Sequence, residues 1–181
     1  MKTILIISGS SSKNSINKQL ALIAEKHLSN VCHTDFVDLR NYCLPLYSID
    51  IENDIGIPND AKLLKSKINT CDAILIACPE HNGLPPTIFK NAIDWISRIE
   101  GKILSDKPIT LFSTSPGKNG GKTSLSTLLS LIPWWGGKLV SSFSLESFYD
   151  NFSKDENKIM DNKKHLDLIN SINLLHKAVA N

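Results

Sequence analysis

Ile4-Leu5-Ile6-Ile7-Ser8-Gly9-Ser10-Ser11-Ser12-Lys13-Asn14-Ser15-Ile16-Asn17 is the stretch from which the fold is read. An unbroken apolar run gives way to small and polar residues. Leu20, Ile23, Ala24 and Leu28 then recur at helical spacing up to about Asn30. A continuous apolar run, rather than an alternating one, suits a parallel strand covered on both faces. The same unit recurs twice. Ala73–Ala77 leads through Pro79–Pro86 into a helix carrying Ile88, Phe89, Ala92, Ile93 and Ile96, with Pro85-Pro86 at its start, where proline is tolerated. Ile109–Phe112 leads through Ser113–Lys122 into Leu125, Leu128, Leu129 and Ile132, ending at Pro133.

Weaker strands are expected at Thr34–Leu39 and Lys138–Phe143, and further helices at Asp60–Ile68 and Lys164–Ala178. Arg40–Pro58 reads as a long loop interrupted by Pro45 and Pro58, and Asp150–Asn162 as a polar, mobile connection. Strands alternating with helices predict an α/β fold in one domain, 1–181. Its core would be a doubly wound sheet of five parallel strands in the order 2-1-3-4-5, with helices on both faces. In such sheets a ligand sits beyond the carboxyl ends of the strands, where the strand order reverses. Here that point lies between the first and third strands, so Gly9–Asn17, Pro79–Pro86 and Ser113–Lys122 surround it.

The totals exclude several classes. Lys and Arg number 20 against 18 Asp and Glu, for a net charge of +2, and the lysines are dispersed, which argues against a nucleic-acid-coating protein. The apolar start is too short for a signal peptide or a membrane span, so a cytoplasmic protein without membrane association is expected. Cys32, Cys43, Cys71 and Cys78 show no metal spacing and read as structural thiols, so no metal is expected.

The first loop combines hydroxyls, Lys13 and a helix start, whose free N–H groups and dipole favour a phosphate; Ser15 or Asn14 would also cap the helix. It has no Gly-x-Gly-x-x-Gly pattern, against a dinucleotide site. The third loop, Gly117-Lys118-Asn119-Gly120-Gly121-Lys122-Thr123, resembles a Walker A motif. The spacing demands glycine at position 116, however, and Pro116 has no N–H to offer a phosphate. Its glycines are expected to let backbone approach a flat ligand. The middle loop, Pro79-Glu80-His81-Asn82-Gly83, offers backbone donors and acceptors suited to the polar edge of a flavin. Asp94 and Trp95, in the helix that follows, read as surface and packing residues.

Together, Gly9-Ser10…Ser15-Ile16-Asn17, Pro79-Glu80-His81-Asn82-Gly83…Lys90-Asn91-Ala92-Ile93-Asp94-Trp95 and Ser115-Pro116-Gly117…Gly120-Gly121 resemble the NADPH-dependent FMN reductase family, over residues 3 to about 145. The resemblance implies a flavodoxin-like fold. It also implies that FMN phosphate is held by Ser10, Ser12, Lys13, Ser15, Ile16 and Asn17. Pro79, Glu80, His81, Asn82 and Gly83 would follow the ring edge, and Ser115, Pro116 and Gly117 would lie beside the rest of the ring. Two departures stand out: Ser12 replaces the usual arginine and His81 the more common tyrosine. Lys13 can supply a point charge near Ser12 but not a bidentate fork, which suits an exchangeable cofactor.

The implied activity is ping-pong transfer of hydride from NADPH or NADH through FMN to a quinone, flavin, azo compound or metal ion. No dedicated catalytic acid or base is expected, with His81 as a modulator. A homodimer or tetramer is implied, with Trp134, Trp135 and Arg40–Pro58 as contact candidates. The competing readings are a flavodoxin-like electron carrier, disfavoured by the +2 charge since such carriers are acidic, and a non-catalytic flavin-binding module.

Overall fold

A computed structural model describes residues 1–99 and 101–180. Its elements are β1 (Thr3–Ser8), α1 (Ile16–Leu28), β2 (His33–Asp38), α2 (Ile49–Ile55), α3 (Asn59–Thr70), β3 (Ala73–Ala77), α4 (Thr87–Ser97), β4 (Pro108–Thr114), α5 (Lys122–Trp134), β5 (Lys138–Leu145), α6 (Phe148–Asn151), β6 (Phe152–Ser153), β7 (Lys158–Ile159) and α7 (Asn162–Lys177). The sheet order is β2-β1-β3-β4-β5 and every neighbouring pair is parallel, as the sequence predicts.

The apolar runs are continuous because each strand feeds two cores. Ile4 and Ile6 of β1, Leu75 of β3 and Phe112 of β4 pack with Leu20 and Ala24 of α1 and Leu168 and Ile172 of α7. Their neighbours Leu5, Ile7, Ile74, Ile76 and Leu111 face the other way, towards Leu64 of α3, Phe89 and Ile93 of α4, and Leu128 and Ile132 of α5. Successive side chains of a strand point to opposite faces. With helices on both sides of the sheet, a polar side chain inside a strand needs an internal partner, as Thr110 Oγ1 of β4 has in Ser141 Oγ of β5 at 2.7 Å. Small and polar residues gather at the carboxyl edge, at Ser8, Cys78 and Ser113.

Two expectations need correcting. Arg40–Pro58 is not a loop throughout: it holds a 3-10 turn at Leu39–Asn41 and the α2 helix. Ser48 caps α2 by accepting the Ile51 N–H, and Asp50 and Glu52 lie in its first turn, while Pro45 and Pro58 fall outside it. The stretch before α2 is strapped to α4. The Asn91 amide donates to the Leu44 and Pro45 carbonyls and accepts the Tyr47 N–H, and Trp95 Nε1 donates to Pro45 O at 2.7 Å. Trp95 is fully buried and meets Tyr47 edge-on, whereas Asp94 pairs with Lys90 at the surface.

Asp150–Asn162 is not irregular throughout either. It contains the antiparallel β6–β7 hairpin, anchored by buried Phe152 and Ile159, and Phe152 stacks on Phe148 at 4.6 Å. The two tryptophans part company: Trp135 is buried beside Phe89, while Trp134 is 83% exposed. All four cysteines are free thiols; Cys32, Cys71 and Cys78 are buried and Cys43 is exposed. Among the described residues no helix is long and apolar enough to cross a membrane.

Asp38, at the end of β2, is 5% exposed and accepts from Lys18 Nζ of α1 at 2.9 Å and from Arg40 Nε at 2.9 Å. Burial alone would push its carboxyl up, but hydrogen bonds from Arg40 and Lys18 outweigh it and bring the pKa down to about 2. A folded-state value below the ordinary Asp value stabilises the fold fully above about pH 4, and the stabilisation is lost as pH falls through about 2. Thermal melting of the wild type should therefore show a fall in Tm across that window. Asp38→Asn should melt lower at neutral pH and lose less of its Tm across the same acid range.

Candidate functional site

The carboxyl ends of β1, β3 and β4 open into a cleft of about 240 Å³. Its walls are Ser10, Ser12, Asn14, Ser15, Ile16 and Asn17 from the first loop, Pro79, Glu80 and His81 from the second, and Thr114, Ser115 and Pro116 from the third, with Tyr149 at the rim. Three segments distant in sequence thus meet at the point where strand order reverses. Lys13, Asn82, Gly83 and Gly117 are carried by the same loops but do not line this cleft.

The first loop is shaped by its own hydroxyls. Ser10 Oγ accepts the Ser12 N–H at 3.1 Å, Ser12 Oγ accepts the Asn14 N–H at 3.2 Å, and Ser15 Oγ caps α1 by accepting the Lys18 N–H at 3.1 Å. Each hydroxyl used as an acceptor keeps its own hydrogen to donate. The N–H groups of Ile16 and Asn17 lie in the first turn, where no intrahelical acceptor exists, and that turn carries no acidic residue. Lys13 is exposed and takes part in no ion pair among the described residues.

Asn17 has a role that spacing does not reveal. It is 1% exposed; its Nδ2 donates to Thr114 O at 2.9 Å and its Oδ1 accepts the Thr114 N–H at 2.9 Å. This two-way bond joins the start of α1 to the end of β4 and engages one donor and one acceptor of the Asn17 side chain.

In the second loop, His81 N–H donates to Leu84 O at 2.8 Å and Leu84 N–H donates back to His81 O at 3.1 Å. Asn82 and Gly83 between them both have positive φ, 53° and 80°, the signature of a tight type I′ turn. Glycine is favoured at such a φ, and a Cβ at Gly83 would meet only the Thr123 methyl at 3.7 Å, so the backbone there is open to approach. The Asn82 and Gly83 N–H groups remain at the tip of the turn. The His81 ring is exposed. The Glu80 carboxylate is turned to the start of α5, accepting Ser124 N–H at 3.0 Å and Asn119 Nδ2–H at 3.4 Å.

The third loop departs from its expected use. A Cβ on Gly120 would lie 2.5 Å from Ser144 Oγ and 2.9 Å from the Glu146 nitrogen, and one on Gly121 would collide with Ser113 Oγ. Both glycines also have positive φ. They serve packing against the chain's own strand ends rather than approach to a ligand. Gly117, with nothing near its missing Cβ, is the open one. The Ser147 N–H donates to Gly117 O and the Phe148 N–H to Ser115 O, which ties the loop to α6. That tie brings Tyr149 to the rim, a residue missed in the sequence because the segment around it carries no strong pattern.

A phosphate ester fits the donor set of the first loop: hydroxyls, unpaired helical amides and Lys13. A flat heteroaromatic ring with alternating donors and acceptors fits the Pro79–His81 backbone opposite Ser115 and Pro116, beside the Asn82-Gly83 turn. Phosphate at one end and flat ring at the other define a flavin-nucleotide-binding α/β protein.

The comparisons with known proteins agree. The NADPH-dependent FMN reductase family matches residues 2–150, and the chain belongs to that family. Membership implies FMN as the cofactor and NAD(P)H as co-substrate. A 2-hydroxy-1,4-benzoquinone reductase from Burkholderia sp is 38% identical over 118 residues, 65% of this chain and 62% of the relative. A quinone reductase of Escherichia coli K12 is 37% identical over 78 residues, 43% of this chain and 42% of that one. In neither case does the match span two thirds of the relative's length. The solved structure of FerB, a flavoenzyme NAD(P)H:(acceptor) oxidoreductase from Paracoccus denitrificans, superposes with a TM-score of 0.75 at 27% identity, covering 98% of each chain.

Asn17→Ala would strand a buried N–H and a buried C=O of Thr114. A loss of about 2–3 kcal/mol is expected, read in thermal unfolding as a Tm lower by roughly 5–10 °C. Ser15→Ala, removing only a cap, should cost about 1 kcal/mol.

Proposed function

We propose that the protein is an FMN-dependent NAD(P)H oxidoreductase whose electron acceptor is a small quinone. The observation that carries this reading is the convergence of three loops on one cleft at the carboxyl edge of the sheet, with first-loop hydroxyls, Pro79–His81 and Ser115-Pro116 in its walls and the Asn82-Gly83 turn beside it. The names of the Burkholderia and Escherichia relatives support a quinone as acceptor. A net charge of +2 disfavours an acidic electron carrier of the flavodoxin type.

In this reading the hydroxyls of Ser10, Ser12 and Ser15, the amides of Ile16 and Asn17, and Lys13 hold the phosphate. The backbone of Pro79, Glu80, His81, Asn82 and Gly83 runs along the ring edge, and Ser115, Pro116 and Gly117 along its other side. FMN held there would supply the two-electron redox chemistry of a ping-pong cycle between NAD(P)H and a quinone, the two hydrogens of the hydroquinone coming from the hydride and a solvent proton. Fixed donors at the Asn82 and Gly83 amides favour negative charge on the ring edge, and they need no reorganisation to do so. No side chain of the cleft is assigned proton transfer: the Glu80 carboxylate is engaged at α5, and the exposed His81 imidazole tunes the entrance. A homodimer belongs to the reading, with Leu46 and Trp134, both largely exposed, as apolar contact surfaces.

The test is an anaerobic titration of the full chain with FMN, followed by NADPH or NADH and then benzoquinone. The long-wavelength flavin absorption should bleach on adding NAD(P)H and return with one equivalent of quinone. Bound FMN that stays oxidised in both NADPH and NADH would overturn the enzyme reading in favour of a carrier.

A further inference from the structure

Beside the cleft lies a second cavity, of about 540 Å³, lined by Lys13, Asn14, Ile16, Gln19, Tyr149 and Lys154 among others. Asn14, Ile16 and Tyr149 line both spaces, so the two adjoin along the first loop and the rim tyrosine. Two lysines line this cavity: Lys13 from the loop before α1, and Lys154 from the turn of the β6–β7 hairpin. Neither forms an ion pair among the described residues, whereas Lys18 nearby is tied to Asp38. No carboxylate lines the cavity, and the first turn of α1 contains none.

The hairpin that presents Lys154 is held in place. Phe152 and Ile159 are buried beneath it, Met160 N–H donates to Asn151 O, and Lys164 pairs with Glu146 at 2.7 Å. The Lys154 ammonium lies 5.9 Å from the centroid of the Tyr149 ring, a cation–π contact that holds the charge at the cavity rim. Two lysines on one cavity whose lining holds no carboxylate make a locally positive field that favours an anion. Ile16, whose N–H lies in the first turn of α1 without an intrahelical acceptor, lines the same cavity.

We propose that Lys154, with Lys13, forms a phosphomonoester subsite in which the C-terminal hairpin clamps the phosphate against the first loop. The inference rests on the FMN reading above and extends it to a segment outside the three loops. Two ligands carry such a group: the 5′-phosphate of FMN and the 2′-phosphate of NADPH.

Lys154 is exposed, so its variants should fold normally. Flavin fluorescence quenching by the full chain is measured with FMN and with riboflavin, which lacks the phosphate, for wild type, Lys154→Gln and Lys154→Arg. For the FMN source, Lys154→Gln should weaken FMN about 5- to 10-fold, leave riboflavin unchanged, and be rescued by Lys154→Arg. For the NADPH source, FMN binding should hold while KM rises several-fold for NADPH and not for NADH. Unchanged FMN affinity together with an unchanged NADPH-to-NADH ratio in Lys154→Gln and in Lys13→Gln/Lys154→Gln overturns the subsite. Wild-type protein that quenches neither flavin overturns the FMN reading itself, and the subsite falls with it.

Discussion

One buried side-chain amide holds the site together. Asn17 joins the first turn of α1 to the last residue of β4 through donor and acceptor at once. The two groups it satisfies on Thr114 lie where the sheet ladder runs out and water is excluded, so each would otherwise carry a desolvation cost. Because the bond spans from the first loop to the third, it sets the width of the cleft between them. The β1–β3 pairing does the same for the second loop, with Gly9 N–H continuing the ladder to Ala77 O.

Around that constraint the work divides between backbone and side chains. Several side chains that look like ligand groups in the sequence are engaged within the protein: Asn17 on Thr114, Glu80 on the start of α5, and Ser15 Oγ as acceptor at the start of α1. The surface presented to a cofactor is then largely main chain, supplemented by hydroxyl hydrogens and lysine charge. This suits a cofactor that carries its own chemistry, for which the protein must supply position and fixed dipoles rather than an acid or base. Gly120 and Gly121 illustrate the same economy: their missing side chains admit the neighbouring strand ends, which in turn hold the third loop in place.

The legible part of the fold was the part governed by local pattern. Continuous apolar runs such as Ala73–Ala77 identified strands buried on both faces, and strand order and site position followed from handedness and the switch-point rule. What escaped was structure sustained by long-range contact. The ordering of Leu44–Tyr47 depends on Asn91 and Trp95, far away in sequence, and two prolines obscured the Ser48 cap of α2 between them. The β6–β7 hairpin has strands of two residues each, too short for any periodicity, and stands on the burial of Phe152 and Ile159.

The sequence by itself determined the sheet, its order, the three loops at its carboxyl edge and the family to which the chain belongs, since alternation, spacing and loop composition are local properties of the chain. Only the tertiary structure decided which groups in those loops are free. Hydrogen bonds between distant segments engaged Asn17 and Glu80, left Lys13 unpaired, and carried Tyr149 and Lys154 to the rim of a site whose other residues lie far before them in the chain.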